Sequence, residues 1–450
     1  MTAKFLEEAV EQADTTDEIA FGHHSVAKTG EVFACEFPSK SCIIVADVNT
    51  WEAAGEPALA SLKDAGVEVV EPYIFPGTPT VYAGYDNVQV VEAALAEHPE
   101  AVACSIGGGT MNDLVKLASS ELGQPYMHVC TAASVDGYAA FGASIAKDGF
   151  KITRNCAAPV AVVADLDIMA DAPKRLTATG YGDLIEKIPA GADWILADEL
   201  GIEPIDGRAW RLVQGPLKAA LAHPEELDNG QIAGLAEENL LSGLAMQITQ
   251  SSRPASGAGH LFSHVWEMEG HGQDWEPPLS HGFKVGVGTV ASCALWEEAL
   301  KLDLSRIDID GLVVSAASEE ELIANARTAL KPRIFDEAVK NLLAKSLHGD
   351  ELRERLLALQ SRWPKIVERT RDQLYSPEKI ADMLATAGAP WHPAQIGIDK
   401  ERFIGTFYKA QMIRNRYTIL DALVELGVFG ELVDRLFAPG GFYAEHPCRD

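Results

Sequence analysis

The sequence predicts a doubly wound α/β sheet domain followed by an all-helical domain, and three observations carry that expectation. From residue 31 to residue 172, short apolar runs alternate with helical patterns. Two of those runs end in turns of small residues, GGGT at 107–110 and TAAS at 131–134. Beyond about residue 172 long apolar-periodic segments take over, with no strand pattern of any length between them. The expected domains are residues 1–172 and residues 173–450.

In order, EVFACEF (31–37) reads as a short strand and CIIVAD (42–47) as a buried one. NTWEAAGEPALASLKDAG reads as a helix closing on Gly66, and VEVVEPYIF as the next strand. Val88, Val91 and Leu95 stand at helical spacing, with Asp86 as the expected cap. AVACSIGGGT is a strand running into a glycine turn, NDLVKLASSEL a helix, PYMHVCTAAS a strand entering a turn, and PVAVVADLDIM a last strand. The later segments, from LTATGYGDLIEKIPAGADWILADEL to DKERFIGTFYKAQMIRNRYTILDALVELG, all read as helices. EHPCRD reads as a loosely held tail.

Composition narrows the function. With 450 residues the chain can build two sizeable cores, and 47% hydrophobic with 23% charged residues is ordinary for a globular enzyme. A formal net charge of −29 opposes nucleic-acid binding, so an anionic substrate needs a local positive centre. No apolar run is long enough for a membrane span, and the acidic N-terminus lacks a signal-peptide core. Seven cysteines without CxxC spacing fit reduced thiols, and the expected location is the cytoplasm.

The chemistry-bearing residues fall into four groups. Gly107, Gly108, Gly109 and Thr110 sit where a strand meets a helix N-terminus, where a Rossmann-like fold cradles a pyrophosphate; the alternative is a plain tight turn. Asp47 ends a buried strand, a place for a ribose contact or for a turn former. Asp136 beside Gly137 is a turn residue or an anchor for a substrate hydroxyl. His260 and His264, four apart, share a helix face, and His281 follows on a loop before Gly282. Such histidines can hold a divalent metal with one position open. Asp183, read near a helix start, is either an N-cap or an oxygen ligand completing that set.

Taken together, VADVNTWEAAG, IGGGTMND, TAASVDGYAA, GYGDLIEK, SRPASGAGHLFSHVWEM, LSHGFKVGVGT and RNRYTILDALVELG resemble the sn-glycerol-1-phosphate dehydrogenases, bacterial branch. These belong with the iron-containing alcohol dehydrogenases, glycerol dehydrogenases and dehydroquinate synthases. The resemblance implies a dehydroquinate synthase-like fold and metal-dependent, NAD(P)H-linked reduction of dihydroxyacetone phosphate to sn-glycerol 1-phosphate. It implies Asp183, His260 and His281 as metal ligands, zinc first and nickel or iron as alternatives. It places His264 at the substrate for proton transfer, Asp136 on a substrate hydroxyl, and Asp183 beside the substrate as well. Gly107 to Met111 would bind the cofactor pyrophosphate. Thr131, Ala132, Ala133, Ser134 and Asp47 would contact other parts of the cofactor, with NAD(H) preferred and NADP(H) possible, and a homo-oligomer is expected. Arg253 and Lys284 flank the histidines as candidate phosphate contacts. In two places the chain departs from the pattern. Ala140 stands where the family has a cofactor-contacting serine, and Gly259 where it has a glutamate that bears on support of the metal. Competing readings are a polyol dehydrogenase acting on an unphosphorylated alcohol, a sugar-phosphate cyclase, and a catalytically silent binding module.

Overall fold

The computed structural model describes residues 2–147 and 150–447. Two compact units emerge. One comprises Met1–Leu184, Gly207–Ala255 and Gly270–Gly282; the other comprises Ile185–Asp206, Ser256–Glu269 and Phe283–Asp450. The sequence expects a single cut after residue 172, whereas the units interleave along the chain. Helical periodicity tells that a segment is a helix but not which body it packs on.

The first unit holds a six-stranded, wholly parallel sheet. Its strands are β1 (Glu18–Gly22), β2 (Ser41–Asp47), β3 (Tyr73–Phe75), β4 (Ala101–Gly107), β5 (Tyr126–Cys130) and β8 (Ala161–Asp165). Their spatial order is β1-β8-β5-β4-β2-β3. β4, β5 and β8 are buried along their whole length, which is why they read as unbroken apolar runs. One face packs against the Thr29–Glu36 and Glu56–Asp64 helices through Phe33, Phe37, Ala58 and Leu62. The other face packs against the Tyr85–Ala96 and Gly109–Glu121 helices through Val88, Val91, Leu114 and Val115. An antiparallel hairpin, β6 (Ala143–Lys147) and β7 (Phe150–Arg154), stands apart from the sheet.

Four local readings change. EVFACEF is helical to Glu36, with Phe33 and the C-cap Phe37 one turn apart and their rings tilted at 5.0 Å. VEVVEPYIF pairs only at Val69 and over Tyr73–Phe75; Pro72 between them has no N–H to give a ladder. Gly84, not Asp86, caps the next helix, and Asp86 lies in its first turn, where the dipole favours a carboxylate. PVAVVADLDIM is a strand only to Asp165, whose side chain caps a short helix, Leu166–Asp171.

The second unit is helical. Its centre includes an aromatic group in which Phe262, Trp266, Phe403 and Phe407 meet edge-on or tilted, with Trp266 Nε1 donating to Thr406 Oγ1 at 3.0 Å. Of the expected tail EHPCRD, only Glu445 is helical, as the last residue of the Phe442–Glu445 helix, and 448–450 lie outside the described residues. Cys35, Cys42, Cys104, Cys130, Cys156 and Cys293 are all free thiols.

Candidate functional site

At the carboxyl edge of the sheet two turns lie side by side. β4 ends at Gly107, opposite Cys130 of β5, and Thr131 N–H donates to the Gly107 carbonyl at 3.1 Å. Gly108 is the N-cap of the Gly109–Glu121 helix and has no side chain to cap it, so the head of that helix keeps amides for an anion. A Cβ on Gly107 would meet Met111 Cγ at 2.6 Å, and one on Gly109 would meet Val135 Cγ1 at 2.8 Å. Packing thus requires those two glycines whatever binds there. A Cβ on Gly108 would meet only Ser134 Oγ, at 3.6 Å. Gly108, Gly109 and Thr110 are half-buried, whereas the Met111 side chain is 1% exposed in the core, leaving only its backbone for a ligand.

Thr131, Ala132, Ala133 and Ser134 are buried, and Ser134 Oγ lies 2.9 Å from Tyr138 Oη. Asp47, at the end of β2, closes a capping box, with Oδ1 accepting from Asn49 N and Thr50 N at 2.8 and 3.0 Å. Ala140 is turned into a small apolar group with Phe141, Met246 and Ala255. Its carbonyl, with those of Gly137 and Gly142, accepts from buried Lys116 Nζ at 2.8, 3.0 and 3.2 Å.

The same unit gathers Asp136, Asp183 and His281. Asp183 is fully buried in the last turn of the Lys174–Leu184 helix, not at a helix start, so it is no N-cap. Its Oδ2 accepts from Asp136 N–H at 3.1 Å, and its Oδ1 lies 3.9 Å from His281 Nε2. That gap is too long for a hydrogen bond. It approaches the separation of two ligands across one tetrahedral ion, roughly 3.4 Å from bonds of about 2.1 Å. His281 opens the His281–Ala299 helix and is not on a loop. Gly282 permits this approach, since a Cβ there would strike the Thr179 carbonyl at 1.9 Å. Ser242 Oγ donates to Asp136 Oδ2 at 2.9 Å. Sequence reading missed Ser242. Its signal is the neighbouring Gly243, a costly residue inside a helix, tolerated because the Asp136 carbonyl and Ala140 amide press within 2.9 and 3.0 Å of where a Cβ would be.

In the second unit the Ala258–Met268 helix carries His260 and His264 one turn apart, rings edge-on at 6.0 Å. His260 is 5% exposed, with Nδ1 2.9 Å from Glu186 Oε2. Glu186 was not singled out by sequence, although it stands in GYGDLIEK three residues beyond Asp183, because a lone carboxylate there has no spacing that marks a role. Arg253 and Lys284 are 1% and 3% exposed, so neither is a surface charge.

Residues 20–173 match the family model described as iron-containing alcohol dehydrogenase. A glycerol-1-phosphate dehydrogenase of Bacillus velezensis, its name specifying NAD(P)+, is 30% identical over 398 residues, 86% of this chain and 87% of its own. The chain belongs to the glycerol-1-phosphate dehydrogenase family. The family member of Bacillus subtilis is 32% identical over 85% of each chain, and that of Pyrococcus furiosus is 32% identical over 69% of this chain and 88% of its own. A probable glycerol dehydrogenase of Sinorhizobium meliloti shares the fold, with TM-score 0.59 and 14% identity over 94% of this chain and 98% of its own. Family membership brings NAD(P) and a divalent metal with it. Among the described residues no helix is long and apolar enough to cross a membrane.

Proposed function

We propose that this protein reduces dihydroxyacetone phosphate to sn-glycerol 1-phosphate with NAD(P)H and a divalent metal. The observation that carries the reading is the alignment over most of both chains with relatives so named, in Bacillus and in Pyrococcus. The donor chemistry supports it. Asp183 Oδ1 and His281 Nε2 lie 3.9 Å apart, a separation two ligands of one ion can take, and His260 offers a third ligand atom of the right chemistry. One carboxylate and two neutral imidazoles leave a divalent ion net positive.

When bound, the metal supplies Lewis acidity at the substrate carbonyl oxygen and the nicotinamide supplies hydride. The chain's part is placement and proton supply. Asp183, His260 and His281 would hold the metal. Ser242 fixes the Asp136 carboxylate, which takes a substrate hydroxyl. His264 delivers a proton to the nascent alcohol oxygen. The head of the Gly109–Glu121 helix, with Thr131–Ser134 beside it, holds the pyrophosphate. Zinc is the proposed metal. NAD is preferred over NADP, because Asp47 would repel a 2′-phosphate. Residues 1–172 serve the cofactor and 173–450 supply the metal ligands. A homo-oligomer in the cytoplasm completes the reading, with the free thiols as its compartmental support.

Loss of reduced-nicotinamide absorbance on metal-loaded protein tests the reading. Oxidation with dihydroxyacetone phosphate and not with dihydroxyacetone is expected. Oxidation with the unphosphorylated ketone alone would make it a polyol dehydrogenase. Silence with both would favour a cyclase or a non-catalytic relative.

A further inference from the structure

We propose that Glu186 is the positioning residue for His260, presenting its Nε2 to the metal, and that Gly259 exists to admit the Glu186 side chain. The inference rests on His260 being a metal ligand, as proposed above. Glu186 is fully buried and its two oxygens are divided between two tasks. Oε1 accepts from the Gly257 amide at 3.0 Å, and Oε2 lies 2.9 Å from His260 Nδ1. The contact is an ion-pair distance and not an aligned hydrogen bond, yet a carboxylate so close to Nδ1 favours the proton on that nitrogen and leaves Nε2 bare, the form a metal takes.

Gly259 marks the same device from the other side. A Cβ there would lie 2.9 Å from Glu186 Cγ and 3.1 Å from Oε1, with the Thr289 amide nitrogen also at 3.1 Å. A larger residue would force the Glu186 side chain to shift from its present contacts. The glycine costs helix stability, which a free choice at a helix position beside a metal ligand would avoid. The head of the Ala258–Met268 helix does not depend on Glu186 alone. Asp193, two helical turns further on, accepts from Ala258 N–H at 2.7 Å with Oδ2, while its Oδ1 takes Trp296 Nε1 and Ile419 N–H at 3.1 and 3.0 Å. Anchoring of the helix and orientation of the imidazole are therefore separable.

Glu186→Gln is the discriminating variant. Its amide oxygen can keep the Gly257 bond, but the amide nitrogen then offers a second donor to His260 Nδ1. The ring relieves this by moving its proton to Nε2, the nitrogen the metal needs. The full-length protein is stripped by chelation and titrated calorimetrically with zinc, and the melting temperature of each metal-free protein is recorded. Glu186→Gln and Gly259→Ala are expected to raise the zinc Kd by about 10- to 100-fold, with the Glu186→Gln metal-free melting temperature at the wild-type value; His260→Ala abolishes binding. Zinc binding lost in His260→Ala but within twofold of wild type in both Glu186→Gln and Gly259→Ala overturns this inference alone. Binding unchanged by His260→Ala overturns the ligand assignment beneath it. A Glu186→Gln protein that melts early and recovers wild-type zinc affinity when stabilised by osmolyte makes Glu186 a purely structural residue, and also overturns it.

Discussion

His264 lies one turn from His260 on the same helix, yet the two are proposed for different roles, His260 as a metal ligand and His264 as a proton donor. His264→Ala is expected to keep full zinc occupancy and to lower kcat by roughly 10²- to 10⁴-fold, the usual worth of a positioned proton donor. Zinc lost together with activity would instead move His264 into the ligand set. His128 on β5 poses a different residue-scale test. It is fully buried, stacked on Tyr138 at 5.3 Å, and pushed down to about 3 by burial and then by the positive charge of Lys116. The folded state binds its proton less readily than the unfolded chain does, so its contribution is intact above about pH 6.5 and is lost as pH falls from there toward 3. Between pH 6.5 and 5.5 the wild type should lose about 1 kcal/mol more stability than His128→Phe, which keeps the stack. Urea titrations of both proteins at those two pH values measure it, and equal losses would refute it.

At the scale of elements, the Lys174–Leu184 helix presses on the turn after β5. A Cβ on Gly180 would sit 1.8 Å from the Ala133 carbonyl, so helix and turn touch backbone to backbone. Gly180→Ala must separate them and should cost about 3 kcal/mol. The same shift should weaken NADH binding, since Ala133 belongs to the proposed cofactor turn. Urea midpoints and fluorescence titration with NADH read the two effects, and a wild-type midpoint would show that the helix slides at no cost. The elements that sequence made legible are those whose environment is uniform. β2, β4, β5 and β8 are buried on both faces and read as apolar runs. β1 was missed because only Ala20 of EIAFG is buried. The eight-residue Thr29–Glu36 helix was misread because it is too short to display a period of 3.6. In the site, donors with metal-binding chemistry stood out by type. Ser242 and Glu186 did not, because a hydroxyl or carboxylate that orients another group has no spacing of its own.

For the molecule as a whole, motif order along the chain identified the family, while the division into compact units could not be read from it. Helices of Gly207–Ala255 belong with the sheet. Gln247 ties in the chain just before β1, accepting from Thr15 N–H at 3.2 Å and donating to Thr16 Oγ1 at 2.8 Å. A fragment of residues 1–172 is therefore expected to lack a cooperative thermal transition and to bind a hydrophobic dye; a sharp melt near that of the full chain would show the sheet region to be self-sufficient. The interleaving also sets a schedule for biosynthesis. The Thr2–Val10 helix is made before the sheet, yet the helix it packs against, Ala233–Thr249, comes long after the last strand of the sheet. The first unit is not finished until Gly282 has been made, and by then parts of the second are already outside the tunnel. The Thr2–Val10 helix must wait without the helix it packs against until residue 249 is made, so the stretch of translation between β8 and residue 282 is when this chain most exposes an unpartnered apolar helix.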